Sequence, residues 1–307
     1  MKKILIVLVI AIALFLGYVY LIIPGEFNAT NMETFNCPSG AAQRFVSSTD
    51  KWAQWWPEKK GDTFTFKGTA FFLKKAMTDE INIDIQHGEL SVPTSLSVIS
   101  LSKDSCIVTW KGSMQAPSSP FARMKQHDQW SKASGNMHEL LHHLGAFLTQ
   151  KENVYSINIQ QLQVTDTMVI TTKAVTNAPP TTEQVYAQIK KLRDYISTQS
   201  ATATNPPMLN VRKLDSSQYQ FMVGIPVNKP LPDNGNILFK RMVPGKILVS
   251  EVRGGPATIQ RAFEQMEFYV QDYRREAPAI AYEMLVTDRQ QSKDTASWYT
   301  RIYYPIL

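Results

Sequence analysis

The chain opens with a long apolar run and then changes between two kinds of hydrophobic spacing. Residues 4–23 read ILIVLVIAIALFLGYVYLII, twenty residues without a charge. As a helix this run would be about 30 Å long, which matches the hydrocarbon core of a bilayer. Beyond it, apolar positions recur at helical spacing in some segments and at every second residue in others. The pattern predicts one membrane-spanning helix followed by regions of mixed α+β structure.

The charges that flank the apolar run predict its orientation. Lys2 and Lys3 precede it, whereas the next basic residue is Arg44. By the positive-inside rule, the N-terminus lies in the cytoplasm and the rest of the chain is extracytoplasmic. The sequence AIA at residues 11–13 resembles a signal-peptide cleavage site, but ten apolar residues follow it. We expect an uncleaved single-pass anchor over residues 1–27, with a cleaved signal peptide as the alternative.

Residues 28–152 combine helical segments with a series of alternating strands. The alternation is clear in the sequence INIDI at residues 81–85, where isoleucines are separated by polar residues. Strands of this kind pair as an antiparallel sheet with one face in water. After a Pro- and Ser-rich loop at residues 116–120, a helix with an apolar stripe is predicted over residues 131–151.

This order of elements and the segment TFNCPSGAAQRFVSSTDKWAQWWPE, residues 34–58, resemble the START-like superfamily of helix-grip folds, which includes polyketide-cyclase-like (SRPBCC) proteins. Such domains hold an apolar ligand between a curled sheet and a long helix, so the resemblance implies a cavity here. Aromatic residues are the candidates for its walls, and the alternative is that they simply fill the core. These residues are Trp52, Trp55, Trp56, Phe71, Phe72 and Trp110.

The predicted long helix carries the sequence HELLH, from His138 to His142. In zinc hydrolases, an H-E-x-x-H sequence places two histidine ligands on one helix face, and here Glu139 would be the general base. Leu148 stands where an extended motif of this kind has its third histidine. We therefore predict no metal and no cofactor, and keep zinc hydrolysis through His138, Glu139 and His142 as an alternative.

Residues 153–307 contain an internal repeat. Two apolar stripes with the same helical spacing lie 74 residues apart. They consist of Val185, Ile189, Leu192 and Ile196 and of Ile259, Phe263, Met266 and Val270. Each half, 153–227 and 242–307, is predicted as strand, helix, strand, strand. Two such βαββ halves related by a pseudo-twofold would leave a cleft between their helices and a joint sheet.

The segments MVPGKILVSEVRGG and IAYEMLVTDRQQSKDTASWYTRIYYPI resemble the AraC-type effector-binding, or gyrase-inhibitor-like, domain of multidrug-sensing transcription regulators. In that family an aromatic pocket with an acidic residue accepts lipophilic cations. The resemblance implies that Glu283 is the acidic residue, with Tyr282 and Tyr303 beside it. Glu251 is the alternative source of negative charge, and Trp298 is a further candidate for the pocket wall.

A second interpretation of Glu283 follows from strand pairing. Residues 279–286 and 298–305 can form a hairpin in which Val286 lies opposite Trp298. In that register Glu283 faces Arg301, and the two side chains form a cross-strand ion pair instead of a ligand site.

Charge and composition narrow the function. The net charge is +6, but the basic residues are scattered, which favours a location near an anionic membrane over a nucleic-acid surface. Cys37 and Cys106, the two cysteines of the chain, are either a disulfide or buried thiols.

The sequence has no helix-turn-helix segment, no G-x-S-x-G motif and no phosphate-binding glycine loop. It thus predicts a membrane-anchored binding protein for a small lipophilic molecule that is neutral or cationic, a function that requires no catalysis. We expect no nucleic-acid partner, and no protein partner is indicated. A hydrolase in the effector-like pocket and a scaffold for another envelope protein are the alternatives.

Overall fold

A computed structural model describes residues 2–77, 80–165 and 167–307 of the chain. These residues form two compact units, one ending at Gln150 and the other comprising Lys151–Leu307. Each unit combines helices with an antiparallel sheet, so the fold class is α+β, as predicted.

The first unit begins with the apolar helix. Helix α1 (Lys2–Gly17) continues into a π-helical turn (Tyr18–Ile22), and the two together are 21 residues long with a mean hydropathy of 2.9. They are long and apolar enough to cross a membrane. The end of the helix is held by Arg123, whose Nη2 donates a hydrogen bond to the carbonyl oxygen of Ile23 at 2.6 Å. The helix is therefore attached to the folded part of its own unit.

Strands and shorter helices form the rest of the first unit. The strands are β1 (Glu26–Phe35), β2 (Glu58–Lys60), β3 (Thr63–Phe66), β4 (Thr69–Ala76), β5 (Ile81–His87), β6 (Leu90–Ser100) and β7 (Cys106–Gln115). The helices are α2 (Ser39–Val46), α3 (Thr49–Trp55) and α4 (Pro120–Thr149). The strands pair antiparallel in the order β1-β7-β6-β5-β4-β3-β2, and α4 packs against this sheet.

Burial in this unit follows the alternation seen in the sequence. Ile81, Ile83 and Ile85 are at most 1% exposed, while the polar residues between them are half-buried. Helix α4 begins at Pro120 rather than at residue 131 as predicted. Proline suits the first turn of a helix, and the regular apolar stripe that predicted α4 lies only in its second half.

The two cysteines are buried thiols that are not joined by a disulfide in the structure. A hydrogen bond with Cys37 lowers the pKa of the Cys106 thiol, and burial opposes this effect. Of the two alternatives left by the sequence, the structure thus shows the reduced pair.

The second unit begins with a short helix, α5 (Lys151–Tyr155), and contains α6 (Thr182–Thr198) and α7 (Pro256–Asp272). Its strands are β8 (Gln160–Gln163), β9 (Met168–Thr176), β10 (Met208–Lys213), β11 (Tyr219–Pro226), β12 (Leu238–Arg241), β13 (Lys246–Arg253), β14 (Tyr282–Leu285) and β15 (Tyr299–Ile306). They form one sheet in the order β12-β9-β11-β10-β14-β15-β13-β8.

The two halves of this unit have the predicted element order. Both β9-α6-β10-β11 and β13-α7-β14-β15 read strand, helix, strand, strand, and they join where Leu209 of β10 lies opposite Glu283 of β14. Helix α6 begins with a capping box formed by Thr181 and Gln184, and α7 begins at Pro256. A pseudo-twofold relation between the halves stays a prediction.

Each face of this sheet is covered by a different apolar cluster. Ile170 and Leu209 belong to the cluster that includes the apolar stripe of α6. Their neighbours Val169 and Met208 belong to a second cluster, which also contains Tyr282. Because successive residues of a strand point to opposite faces, the second cluster lies on the face turned away from the helices. Both faces can therefore hold a site.

Candidate ligand-binding cleft

A cleft of about 560 Å³ lies between α6, α7 and the adjoining strands β10 and β14. Its walls are mainly apolar, with Val185 from α6, Ile259 and Phe263 from α7, and Leu209 and Leu285 from the sheet. A concave, mostly apolar space of this volume with a few polar groups is typical of a small-molecule site. It lies between the helices and the joint sheet, where the repeat predicted a cleft.

Glu283 lines this cleft from β14 and is buried, with 8% of the residue exposed. Nη2 of Arg289 donates a hydrogen bond to its Oε2 at 2.5 Å. The side chains of Glu283 and Arg289 are 11% and 9% exposed, so the ion pair is almost completely desolvated. Removing either partner would leave an uncompensated buried charge, which is strongly destabilising.

Arg289 makes two further contacts at the same place. Its Nη2 also donates to Oγ1 of Thr300 at 3.0 Å, and its guanidinium lies 4.6 Å from the centre of the Trp298 ring. A cation over an aromatic face and beside a carboxylate is the arrangement that the family resemblance assigned to a cationic ligand. In this structure, a side chain of the protein itself has that arrangement.

Tyr186 of α6 connects the helix to the loop that carries Arg289. The backbone N–H of Arg289 donates to the Tyr186 hydroxyl at 2.6 Å. Burial raises the pKa of Tyr186, the N–H of Arg289 opposes this, and the charge of Asp288 adds to it. Sequence reasoning missed Arg289 and Tyr186, because nothing in the pattern shows how the loop after β14 folds back onto α6.

The register predicted for the hairpin is wrong by one residue. Glu283 lies opposite Ile302, and it is Met284 that lies opposite Arg301. Because paired residues share a face and successive residues alternate, Glu283 and Arg301 lie on opposite faces of the sheet, and Glu283 alone lines the cleft. Thirteen residues separate the end of β14 from the start of β15, so no two-residue hairpin turn fixes the register.

Arg301 has Glu251 as its partner, with Nε donating to Oε1 at 3.0 Å. This pair is largely exposed, and hydrogen bonds from Tyr299 and Arg301 lower the pKa of Glu251. Glu251 lines a separate hollow of about 320 Å³ together with Tyr303. It is therefore not a source of charge in the cleft.

The proposed site residues thus divide between the two faces of the sheet. Glu283 and Trp298 both line the cleft. Tyr282 and Tyr303 lie opposite each other on the other face, where their rings stack at 5.0 Å between centres. Because Tyr282 is adjacent to Glu283 in β14, the two side chains cannot line the same face.

The interior of the first unit differs from the cavity implied by its resemblance. Four of the six candidate aromatic residues are buried, namely Trp52, Trp56, Phe71 and Trp110. The other two, Trp55 and Phe72, are half-buried. Trp56 packs against Phe71 with 5.0 Å between ring centres. The void left among the tryptophans and α4 is about 10 Å³, far smaller than the several hundred Å³ of a typical small-molecule site. These rings fill the core, which was the alternative that the sequence left open.

The HELLH residues have other partners. Nζ of Lys67 lies 2.6 Å from Oε2 of Glu139, and Nδ1 of His142 lies 3.1 Å from Oε1 of Glu33. His138 is exposed. Among the residues that the structure describes, no group of three or more His, Cys, Asp or Glu side chains could hold a metal ion. The geometry therefore does not support zinc hydrolysis at this motif.

No family model and no curated protein matches this chain. Several solved structures are similar to it in part. EcmrR in a complex with DNA is 14% identical, with 61% of this chain and 70% of that chain covered and a TM-score of 0.44. The EcmrR C-terminal domain is 16% identical, with 49% and 98% covered and a TM-score of 0.39. SAV2435 bound to tetraphenylphosphonium is 15% identical, with 49% and 94% covered and a TM-score of 0.33.

The comparison with EcmrR contradicts the prediction that this chain has no nucleic-acid partner. In that structure the similar protein is bound to DNA, so the prediction is withdrawn. It had depended on the absence of a helix-turn-helix segment and on an outward orientation of the folded regions. A missing motif concerns one mode of DNA binding, and the orientation is itself a prediction.

Proposed function

We propose that this chain is a membrane-anchored binding protein that takes a small lipophilic ligand in the cleft between α6 and α7. The observation that carries the proposal is the cleft itself, in which apolar walls surround the buried pair of Glu283 and Arg289. Protein interiors are normally close-packed, so an apolar space of about 560 Å³ is typical of a site that a ligand fills.

Arg289 decides which charge the ligand can carry. Family members that resemble this unit accept lipophilic cations at their acidic residue, but here the guanidinium of Arg289 already contacts Glu283 and Trp298. A neutral lipophile can enter the cleft without breaking this pair. A cation must displace Arg289 from a desolvated ion pair, which is costly. We therefore expect neutral ligands to bind more tightly than cations of the same size and shape.

Hydrolysis in the cleft has no support from its polar groups. The carboxylate of Glu283 accepts a hydrogen bond from Arg289, and the hydroxyl of Tyr186 accepts one from the backbone. Nucleophilic hydrolysis would need an activated side chain such as serine, cysteine or histidine, and none of the described residues that line the cleft is of these types. The lining therefore fits the holding of a ligand better than its hydrolysis.

For the first unit we propose a START-like fold whose aromatic interior holds no ligand. The antiparallel sheet with the long helix α4 packed against it supports this fold. The void of about 10 Å³ among its aromatic residues leaves no room for a ligand. This unit would then serve to connect α1 to the rest of the chain.

We also propose that Lys2–Ile22 spans the membrane once, with the N-terminus in the cytoplasm and the folded units outside. The anchor would keep the cleft near the bilayer, where lipophilic molecules concentrate. An alkaline phosphatase fusion after residue 150 should then be active. An inactive fusion, together with cytoplasmic labelling at that position, would overturn the topology and leave the ligand proposal standing.

The ligand proposal is tested with the full-length protein extracted from its own membrane. Native mass spectrometry should show a bound small molecule, and a screen of neutral and cationic lipophiles should find binders. Thr182 lines the cleft and is half-buried, so Thr182→Trp should narrow the cleft and weaken binding at least about tenfold. Ala187→Trp, at an exposed position on the same helix outside the cleft, is the control. Equal binding by both variants, or no binder at all, would contradict the proposal.

A further inference from the structure

The second unit contains another cavity, of about 440 Å³, on the sheet face turned away from α6 and α7. Its floor includes Val169, Met208 and Tyr282, which are 3%, 6% and 9% exposed, and Met222 lies beside them. Methionine side chains are flexible and polarisable, so they adapt to apolar ligands of varied shape. The floor is thus suited to an acyl chain or a similar apolar body.

One wall of this cavity is the segment of residues 242–245, MVPG. Backbone hydrogen bonds hold both ends of the segment. The N–H of Met242 donates to the carbonyl of Thr167 at 2.8 Å, and the N–H of Val164 donates to the carbonyl of Gly245 at 2.9 Å. The wall is therefore fixed to the edge of the sheet, and the cavity is a built feature of the unit.

The charged side chains that line this cavity have one sign. Four basic residues line it, namely Lys173, Lys240, Arg241 and Lys246. Among the described residues, no acidic side chain lines the cavity, and none of these four cations takes part in an ion pair. Elsewhere in the same unit Lys190 is paired with Asp194. The cavity thus combines an apolar floor with positive charge that no side chain of the described chain neutralises.

Strand register places two of these lysines next to the floor. Lys240 lies opposite Val169, and Lys173 lies opposite Met222. Directly paired residues share a face of the sheet, so both lysines belong to the face that carries the cavity. A ligand whose apolar part rests on the floor can therefore place a head group beside an ammonium group.

We propose that this cavity is a second binding site, for an amphiphile with an apolar body and an anionic head such as a carboxylate or a phosphate. The apolar body lies on the methionine and tyrosine floor, and Lys173 and Lys240 bind the head group. Charge-assisted hydrogen bonds of this kind are about twice as strong as neutral ones. The site is separate from the cleft and lies on the other face of the sheet. It selects anionic ligands, whereas the pocket of the AraC-type effector-binding domains accepts cations.

The test uses the full-length protein in phosphatidylcholine nanodiscs, with dodecanoate as the probe. Dodecanol and dodecyltrimethylammonium have the same chain and differ in head-group charge, so native mass spectrometry should show dodecanoate binding most tightly. The double variant Lys173→Gln/Lys240→Gln should bind dodecanoate at least about tenfold more weakly, because hydrogen bonds to charged groups are lost. Lys229→Gln/Lys293→Gln removes two exposed charges of the same unit outside the cavity and should bind like the native chain.

Three results would overturn this inference. They are equal binding of the three probes, equal loss in both double variants, and displacement of dodecanoate by a short DNA duplex, which would assign the lysines to nucleic acid. Loss of dodecanoate binding in Thr182→Trp would place the probe in the cleft, which also overturns the second site but leaves the cleft proposal intact.

Adding phosphatidylglycerol to the nanodiscs identifies the natural source of the anionic head group. If phosphatidylglycerol competes with dodecanoate, the natural ligand is a lipid with an anionic head group. If it does not compete, the natural ligand is a free anionic amphiphile. Both results agree with the proposed chemistry of the site.

Discussion

The two folded units place their large side chains in different ways. In the first unit, Trp52 and Trp56 stack with 4.7 Å between ring centres, and Phe71 packs against Trp110 at 5.6 Å. The void between them is about 10 Å³. In the second unit, mainly apolar walls leave a cleft of about 560 Å³ between two helices and a sheet. Aromatic content alone therefore does not predict a cavity, which depends on whether facing side chains interdigitate.

The buried polar groups of the two interiors also differ in what surrounds them. The indole N–H of Trp52 donates to the carbonyl of Val46 at 2.8 Å, and that of Trp110 donates to Oγ1 of Thr94 at 2.9 Å. These groups are satisfied inside a closed core. In the second unit, Glu283 and Arg289 satisfy each other beside an open space. The first arrangement stabilises one packing, whereas the second keeps charged groups where a ligand can reach them.

The comparison is tested most strongly by removing a core ring. Trp110→Ala should lower the free energy of unfolding of the first unit by about 3–5 kcal/mol, because the ring is 1% exposed and its neighbours cannot fill the space. Trp298→Ala should cost less, since one side of that ring borders the cleft. Denaturant unfolding of the full chain measures both. A loss under about 1 kcal/mol for Trp110→Ala would mean that the first interior is loosely packed.

Arg289→Met tests the charged pair in the cleft. It leaves the carboxylate of Glu283 buried without its partner, so the second unit should lose about 3–5 kcal/mol of stability. The double variant Arg289→Met/Glu283→Gln should recover most of this loss. The single variant should also bind a lipophilic phosphonium cation more tightly than the native chain, as measured by calorimetry. Unchanged cation affinity would show that Arg289 does not exclude cationic ligands.

Asn136 tests how firmly α4 is held to its sheet. Its Nδ2 donates to Oγ1 of Thr69 at 2.7 Å and to the carbonyl of Phe66 at 3.2 Å, and the residue is 6% exposed. Asn136→Ala should reduce the stability of the first unit by about 1–3 kcal/mol, because it leaves buried acceptors unsatisfied. Ser131→Ala, at an exposed position of the same helix, is the control. Equal stability of the two variants would mean that packing alone holds the helix.

The smallest effect is expected from the exposed pair of Glu251 and Arg301. Glu251→Gln should reduce stability by less than about 1 kcal/mol near neutral pH. Hydrogen bonds lower the pKa of Glu251 in the folded state. Its contribution to stability is therefore present above its ordinary pKa of 4.5 and is lost as the pH falls through the lowered pKa. The difference between native and variant chains should therefore shrink in acid. A difference that grows in acid would contradict the assigned direction.

Periodicity predicted most of the elements, because burial in helices and strands follows spacing in the sequence. The apolar start, the alternating run at residues 81–85 and the matching stripes of α6 and α7 all lie in elements of the predicted type. The start of α4 was missed because the regular apolar stripe lies only in the second half of the helix. The site was harder to predict, since Glu283 came from a resemblance and Arg289 came from the structure alone.

The sequence by itself determined the apolar helix, the α+β class and the strand, helix, strand, strand order of both halves, because these follow from local composition and period. Only the tertiary structure decided the register of β14 and β15, which places Glu283 opposite Ile302 instead of Arg301. It also decided that one aromatic interior is filled and that a cleft stays open in the other unit. Such features depend on contacts between residues far apart in the chain, where a shift of one residue exchanges the two faces of a sheet.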